Sequence, residues 1–433
     1  MILHDVNQPL LFPAADLRPI PRDFASTTFA DNAALPVHRW IRFSAGFSAA
    51  WAESVIRDAA QTGPVRVFDP FAGSGTTLLA AENVGVDCWG VEAHPFVFRI
   101  GQAKLAYRSD PEAYRRLVRR IRDAAATMTA NIEGYPPLVR KCYDDATLSD
   151  LDVLRQALEA FMDGSPASEL AWLTLIAILR KVSPVNTAQW QYILPRKTKK
   201  NPARPFSAFD AMSRMIHSDM QCAIGLKGPP ARLLCGDARD CGGLPHGRVT
   251  LVVTSPPYPN NYDYADATRL EMSFMGEIRG WGDLQHAVRQ HLIRSCTQHV
   301  PDNSLDLESV LMRAELDPIR KELSAVCHEL AQVRLARGGR KTYHLMVACY
   351  FLDLARVWRS LRSVCASPSR LCFVIGDSAP YGVYVPVMNW LGELALAAGF
   401  HGFRFERTRD RNTKWKNRKH RVPLCEGRLW VEG

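Results

Sequence analysis

Between Pro64 and Ala93 the chain reads as a strand, a glycine-rich turn, a helix and a second strand ending in an acid, and few folds accommodate that order. The stretch from Pro64 to Phe68 is mostly β-branched and apolar, and it runs into DPFAGSGTT, Asp69 to Thr77. TTLLAAENVG then has helical character and stops at Gly85. Gly73 and Gly75 permit a tight turn and close approach of backbone to a ligand, and Asp69 at the strand end can face a positively charged group. Glu92 closes the second strand, Cys88 to Ala93, where it is suited to hydrogen-bond both hydroxyls of a ribose. Such a unit opens a doubly wound, Rossmann-like α/β sheet, with its ligand at the carboxyl ends of the strands. A dinucleotide site would have a third glycine where Leu78 stands, to admit a pyrophosphate at the helix start, so a ligand without phosphates fits better.

Periodicity divides the rest into sheet and inserts. Residues 1–100 hold the first part of the core with the ligand turn. From 101 to 230 the pattern is helical, in AYRRLVRRIRDAAATM, LSDLDVLRQALEAFM and ELAWLTLIAILRKV, which predicts a helical insertion and a possible target-recognition region. Core strands resume over 231–276 with ARLLCGDAR and VTLVVTSPPY. Asp237, at the end of the first of these, can accept a hydrogen bond from an adenine amino group or can simply stabilise a turn. A second helical, polar insertion is expected over 277–340, and 341–433 returns to the core with a closing strand pair and a basic hairpin.

TSPPYPNNYDY, Thr254 to Tyr264, is the segment richest in chemistry. Two consecutive prolines directly after an apolar strand make a rigid turn that withdraws donors and leaves carbonyls to point into a cleft. A base amine must lose a proton around the time it gains a methyl group, and the Ser255 hydroxyl with the Pro256 carbonyl can hold it as acceptors. Pro257 stiffens the turn and Tyr258 offers a flat face for an extruded base. Tyr262 and Tyr264 could extend that stack or belong to the core.

With both loops read, the sequence resembles the amino-methyltransferases of DNA, whose cofactor loop is similar to DPFAGSGTT and whose catalytic loop reads S/N/D-P-P-Y/F. The resemblance implies S-adenosyl-L-methionine as cofactor, bound through Asp69, Phe71, Gly73, Gly75, Thr76, Glu92 and Asp237. It also implies a target amine held by Ser255, Pro256, Pro257 and Tyr258. HRWIRFSAGFS, His38 to Ser48, looks loosely like the motif that packs on the methionine part. A serine at the head of the catalytic loop is commoner in that family for cytosine N4, aspartate or asparagine for adenine N6. The expected activity is therefore a site-specific DNA methyltransferase with cytosine N4 as first choice, working on double-stranded DNA with the target base flipped. Its setting would be restriction-modification, phage defence or solitary modification, with any restriction or defence partner a separate protein. The order departs from the family pattern: wording like DPFAGSGTT is commonest in members with the catalytic loop first.

Charge supports a polyphosphate partner. Of a net +10, Lys and Arg exceed Asp and Glu by six over 101–230 and by six again over 401–433. Two stretches carry this excess. PRKTKKNPAR contains Lys197, Lys199 and Lys200, and RTRDRNTKWKNRKHR contains Arg409, Arg411, Lys414, Trp415, Lys416, Arg418 and Lys419. Cations interleaved with an aromatic suit backbone tracking with some base contact, and a solvated hairpin is the bland alternative. Eleven cysteines without CxxC pairs predict reduced thiols, a cytoplasmic location and no metal. The N-terminus lacks the basic start and unbroken apolar run of a signal peptide, and LAWLTLIAIL, Leu170 to Leu179, is too short to span a bilayer, so no membrane role is expected. Adenine N6 in DNA and a base amine in RNA remain the enzymatic alternatives. A non-catalytic binding subunit and a protein-glutamine methyltransferase are remoter ones.

Overall fold

The computed structural model describes residues 31–42, 46–187, 192–199, 201–300, 305–411 and 422–433. Nine strands are formed among them: β1 (Arg66–Asp69), β2 (Asp87–Glu92), β3 (Val185–Thr187), β4 (Ile193–Thr198), β5 (Arg232–Cys235), β6 (Val249–Thr254), β7 (Cys365–Gly376), β8 (Gly402–Arg411) and β9 (Leu424–Glu432). Seven make one sheet in the order β5-β2-β1-β6-β7-β9-β8. The first five run parallel, whereas β9 is antiparallel to both β7 and β8. The chain builds outward from β1 through β2 to β5, then restarts on the other side of β1 with β6 and β7. Strand order thus reverses between β1 and β6, the place where a doubly wound sheet leaves a crevice beyond its carboxyl ends.

Alternation along the strands sorts side chains to the two faces. Val67, Leu251, Val253 and Val374 share a cluster with Trp51 and Ile56 of the helix Ala49–Thr62 and with Leu78 and Ala81 of the helix Thr76–Val84. Their neighbours in sequence, Phe68, Val252, Phe373 and Ile375, pack with the long helix Tyr343–Val364 and with Val387–Ala397. Burial on both sides explains why these strands read as continuous apolar runs.

Between β2 and β5 the chain forms the helices Pro111–Ala125, Pro137–Cys142, Asp145–Ala160, Pro166–Val182 and Pro205–Cys222, in the stretch read from the sequence as the first insertion. Two details differ. The helix Pro95–Leu105 packs on β2 and β5, so residues 101–105 belong with the sheet rather than with the insertion. An antiparallel ribbon, β3 with β4, also interrupts the helices, starting just after Ser183 and Pro184 end Pro166–Val182. Pro166–Val182 is apolar around most of its circumference because it is central to this layer, with Leu170, Leu173, Leu175 and Ile178 fully buried. The layer shares a continuous core with Phe96 and Ile100 of the sheet helix and with Leu270 and Phe274 beyond the catalytic loop. The second insertion comprises short turns and the helix Arg320–Ala336, which lies along Tyr343–Val364.

Close packing at Gly90 sets how near Thr76–Val84 lies to β2. A Cβ there would meet Leu78 Cδ1 at 2.7 Å and Ala72 Cβ at 2.9 Å. Gly90→Ala is expected to cost about 1–3 kcal/mol of stability by overpacking, measurable as a lower denaturant midpoint with unchanged m-value. An unchanged midpoint would show that the turn and helix can shift freely.

Candidate functional site

The crevice at the strand reversal opens into a cleft of about 460 Å³. Its sheet side is built from the segments following β1, β2, β5 and β6, which contribute Phe71, Gly73, Glu92, Asp237, Ser255 and Pro257. Helices and turns of both insertions complete the wall through Ile176 and Arg180 on one side and His291 to Ile293 on the other.

The glycine turn is shaped by its backbone. Gly73 and Gly75 have φ of 53° and 89°, the left-handed region, and the Gly75 N–H donates to the Ala72 carbonyl at 2.8 Å. Glu92 fastens the turn to β2, its two carboxylate oxygens accepting the Gly73 and His94 N–H groups at 2.8 Å each. Burial pushes the Glu92 carboxyl up to about 7, against the opposing pull of those two N–H donors. Thr76 is buried at the start of the following helix.

Asp69 occupies a different position from the one its motif suggests. It is buried and outside the cleft wall, and it accepts the Phe71 N–H at 3.0 Å and the Thr254 hydroxyl. Asp69 therefore ties the end of β1 to the end of β6, and any influence on a ligand passes through the turn it braces. Asp237 does border the cleft, but its carboxylate is held by Arg239, whose Nε lies 2.9 and 2.8 Å from the two oxygens and whose backbone N–H donates at 2.8 Å.

In the catalytic loop, the Ser255 hydroxyl donates to the Val374 carbonyl at 3.0 Å, so its lone pairs are what it can offer the cleft. The Pro257 carbonyl accepts from the Tyr350 hydroxyl at 2.9 Å and the Pro259 carbonyl from Ser378 at 2.5 Å. Pro256 is buried and lies outside the cleft wall. Tyr258 is half-buried against the core with the Arg411 guanidinium 5.2 Å from its ring centroid, and the tyrosines of this loop that border the cleft are Tyr262 and Tyr264, edge to face at 4.6 Å.

The two basic stretches fare differently from expectation. Arg411 donates to the Asp377 carbonyl at 2.8 Å as well as covering Tyr258, and Arg409 is paired with Glu426 at 3.0 Å through both Nε and Nη2. Arg411 is thus spent on bracing the catalytic loop, where a solvated phosphate contact was expected, and Arg409 is in a salt bridge. Lys414, Trp415, Lys416, Arg418 and Lys419 lie outside the described residues, as does Lys200. Lys197 falls in β4, and Lys199 reaches the cleft wall, its ammonium donating to the Arg180 carbonyl. Of the upstream stretch, Arg39 to Arg42 also reach the cleft. Trp40 Nε1 donates to Asp219 at 2.7 Å, and Arg39 pairs with the same carboxylate.

Residues that sequence reasoning did not single out complete the site. Arg180 forms a largely buried pair with Glu271 across the cleft floor, and His94 Nε2 lies 2.9 Å from the Thr268 hydroxyl. No local spacing connects positions so far apart in the chain. Lys104, fully buried, reaches under the glycine turn and donates to the Ser74 carbonyl at 2.8 Å. Among the described residues no three His, Cys, Asp or Glu side chains converge as a metal site, and no helix is long and apolar enough to cross a membrane.

Residues 25–103, which include the glycine turn and Glu92, match a family model described as DNA methylase, for N6 and N4 methyltransferases. Over that segment the chain is similar to the DNA methylases. It is similar to the Type II methyltransferase M.BsoBI of Geobacillus stearothermophilus, 22% identical over 399 residues that cover 84% of this chain and 78% of that protein. It is similar also to the Type II methyltransferase M.AvaI of Nostoc sp., 23% identical over 420 residues that cover 86% of this chain and 81% of that protein. No solved structure matches significantly. The family match falls on the part of the cleft formed by the glycine turn and Glu92, and the longer alignments extend through both insertions.

Burial lowers the Lys104 ammonium to about 7 from 10.5, so between those values the unfolded chain holds a proton that the folded chain does not. Stability from this group therefore rises with pH over that window, by at most about 1.4 kcal/mol per pH unit. Lys104→Met is expected to remove that slope when unfolding free energy is measured by denaturant between neutral and alkaline pH. Equal slopes in the two proteins would mean that the lysine is not desolvated.

Proposed function

We propose that the chain is an S-adenosylmethionine-dependent DNA methyltransferase acting on an exocyclic base amine, with cytosine N4 as the target. The observation that carries this reading is Ser255 at the cleft wall, in the same cleft as Glu92 and the Gly73 turn, with a Pro-Pro turn directly after it. The Ser255 hydroxyl proton is committed to Val374, and no hydrogen bond to the Pro256 carbonyl is formed among the described residues. An amine docked there meets two lone-pair donors that draw on its N–H protons and raise electron density at nitrogen. The serine at this position favours cytosine N4 over adenine N6, by the preference of the family that the sequence resembles.

The donor set suits a nucleoside without phosphates. A half-buried carboxylate, Glu92, lines the cleft beside an open backbone turn, and the helix after that turn begins with buried Thr76, Thr77 and Leu78 rather than with a pyrophosphate-binding glycine. When bound, S-adenosylmethionine supplies a methyl group on a sulfonium. Glu92 would hold its ribose hydroxyls, Phe71 and the Gly73 backbone would line its methionine side, and Asp237 would face its adenine. The protein's own contribution is positioning, for which oriented reactants can be worth roughly 7–11 kcal/mol. Tyr262 and Tyr264, at the cleft wall, would offset part of the cost of extruding the base, with Tyr258 held behind them by Arg411.

Incubation with labelled S-adenosylmethionine and unmethylated DNA or RNA, followed by nucleoside mass spectrometry, tests this directly. N4-methylcytosine in DNA is expected, with kcat lowered about 10- to 100-fold in Ser255→Ala, as for loss of a hydrogen bond to a group gaining charge. N6-methyladenine would overturn the base assignment, and label confined to RNA would overturn the substrate class.

Cofactor affinity should also depend on pH. Glu92 accepts two hydroxyl protons only as a carboxylate, and burial places its carboxyl at about 7. Below that value affinity should fall by up to about tenfold per pH unit, and above it affinity should level off. Calorimetric titration of wild type and Glu92→Gln across this range checks the assignment: the variant should bind weakly and without the slope. A slope retained in Glu92→Gln would assign the titration elsewhere.

A further inference from the structure

The acid at the cofactor side of the cleft and the loop at its target side are joined by a chain of charged groups that no part of the proposed chemistry requires. Asp353, in the middle of the helix Tyr343–Val364, is fully buried and holds two arginines. Arg239 reaches its Oδ1 through Nη1 at 3.3 Å, while the same guanidinium holds Asp237 at the cleft wall. Arg294 meets Asp353 three times, with Nη2 to Oδ1 at 2.6 Å, Nε to Oδ2 at 2.9 Å and its own backbone N–H to Oδ2 at 3.1 Å. Charges alternate along this line, Asp237, Arg239, Asp353, Arg294, and removing one member leaves a neighbour desolvated and unpaired.

Arg294 belongs to a segment with two faces. Its predecessors His291, Leu292 and Ile293 border the cleft. Its successors hold the catalytic loop at Asn261, three residues beyond Tyr258. The Ser295 carbonyl accepts the Asn261 N–H at 3.2 Å, and Asn261 Oδ1 accepts both the Thr297 N–H at 2.9 Å and the Thr297 hydroxyl at 2.7 Å. Asn261 adopts φ of 64°, so its backbone is set in a conformation that this staple must maintain. Asn261 lies outside the cleft wall and touches neither reacting partner.

We propose that Asp353 is a positioning residue that couples occupancy of the methyl-donor site to the setting of the catalytic loop, through Arg239 on one side and Arg294 with Asn261 on the other. A ligand amine that hydrogen-bonds Asp237 competes with Arg239 for that carboxylate. The share of Arg239 available to Asp353 then changes, and with it the hold on Arg294 and on the segment that staples the loop. Coupling of this kind is reciprocal: a disturbance of the staple must weaken donor binding by the factor with which donor binding settles the staple. The proposal rests on the assignment of the cleft as the methyl-donor site.

A double-mutant cycle on the full-length protein tests it, with S-adenosylmethionine affinity measured by calorimetry and methyl transfer to DNA by initial rates. Asn261→Gly keeps the left-handed backbone accessible and removes the amide. It should weaken donor binding about three- to tenfold although it lies away from the donor, and should leave affinity unchanged when added to Asp353→Asn. Arg294→Lys keeps a cation for Asp353 but loses the multiple contact, and serves as the second background should Asp353→Asn not fold. It too should abolish the effect of Asn261→Gly. Losses that multiply in the combined variants, or donor affinity unaltered in Asn261→Gly, would overturn the coupling while leaving the site assignment standing. Wild-type protein that does not bind S-adenosylmethionine would remove the site assignment, and the coupling with it.

Discussion

Asp69 accepts a hydrogen bond from Thr254 across the boundary at which the sheet reverses its strand order, and both halves of the cleft hang from that contact. On the β1 side the same carboxylate oxygen takes the Phe71 N–H, which fixes the departure of the glycine turn. On the β6 side Thr254 is the last residue before Ser255, so the catalytic loop leaves the sheet from a hydroxyl already anchored. Burial raises the Asp69 carboxyl to about 6, a destabilisation of the charged form that the fold accepts here as it does at Glu92. Both hydrogen bonds go to the same carboxylate oxygen, so a single atom fixes the two departures together. The relative placement of turn and loop is therefore set by a group that lies outside the cleft wall.

Much of this arrangement is legible locally. The strand, turn, helix and strand from Arg66 to Glu92 follow from a short apolar run, two glycines that need left-handed φ, and an acid at a strand end, all features expressed within a few residues of one another. The same holds for the long helix Tyr343–Val364 and the closing pair β8 and β9. The cleft's other components are invisible to such reasoning because their partners are remote: Arg180 with Glu271, Lys104 beneath Ser74, and the quartet around Asp353 involve residues tens to more than a hundred positions apart. Arg411 shows the converse. A run of cations reads as a nucleic-acid surface, yet this member finds a carbonyl and an aromatic face within the fold, because β8 carries it to the edge of the catalytic loop. Composition reports how many cations there are, and only pairing reports which are available.

The ribbon formed by β3 and β4 shows how a helical reading can carry past its end. Apolar spacing continues through Val182, and the stop is announced only by Ser183 and Pro184, after which β-branched residues take over. That ribbon brings Tyr192 against the loop after Tyr258: its hydroxyl accepts the Asp263 N–H at 2.7 Å, and its ring lies 5.5 Å from Tyr262. Asp263 in turn is held by the buried Arg289 at 2.8 Å, which with the neighbouring His299 keeps its carboxyl down at about 2. The loop thus receives support from both insertions at adjacent residues.

That double support bears on how the molecule can accommodate a large substrate. The first insertion shares an unbroken apolar core with the sheet helix Pro95–Leu105 and with the helix Arg269–Phe274. Hinging it away from the sheet would expose many fully buried side chains, and each large aliphatic one costs about 1.5–3 kcal/mol to return to water. Insertion and sheet are consequently expected to respond to a ligand as one body. Adjustment is left to segments whose contacts are polar and replaceable, of which the stretch from Arg289 to Thr297 is the best placed. It faces the cleft on one side and the loop after Ser255 on the other, and is anchored both by Arg294 on Asp353 and by the buried side chains of Leu292, Ile293 and Cys296. A fold that fixes its helical layer rigidly can still transmit a change from one part of the cleft to another where the link includes exchangeable ion pairs.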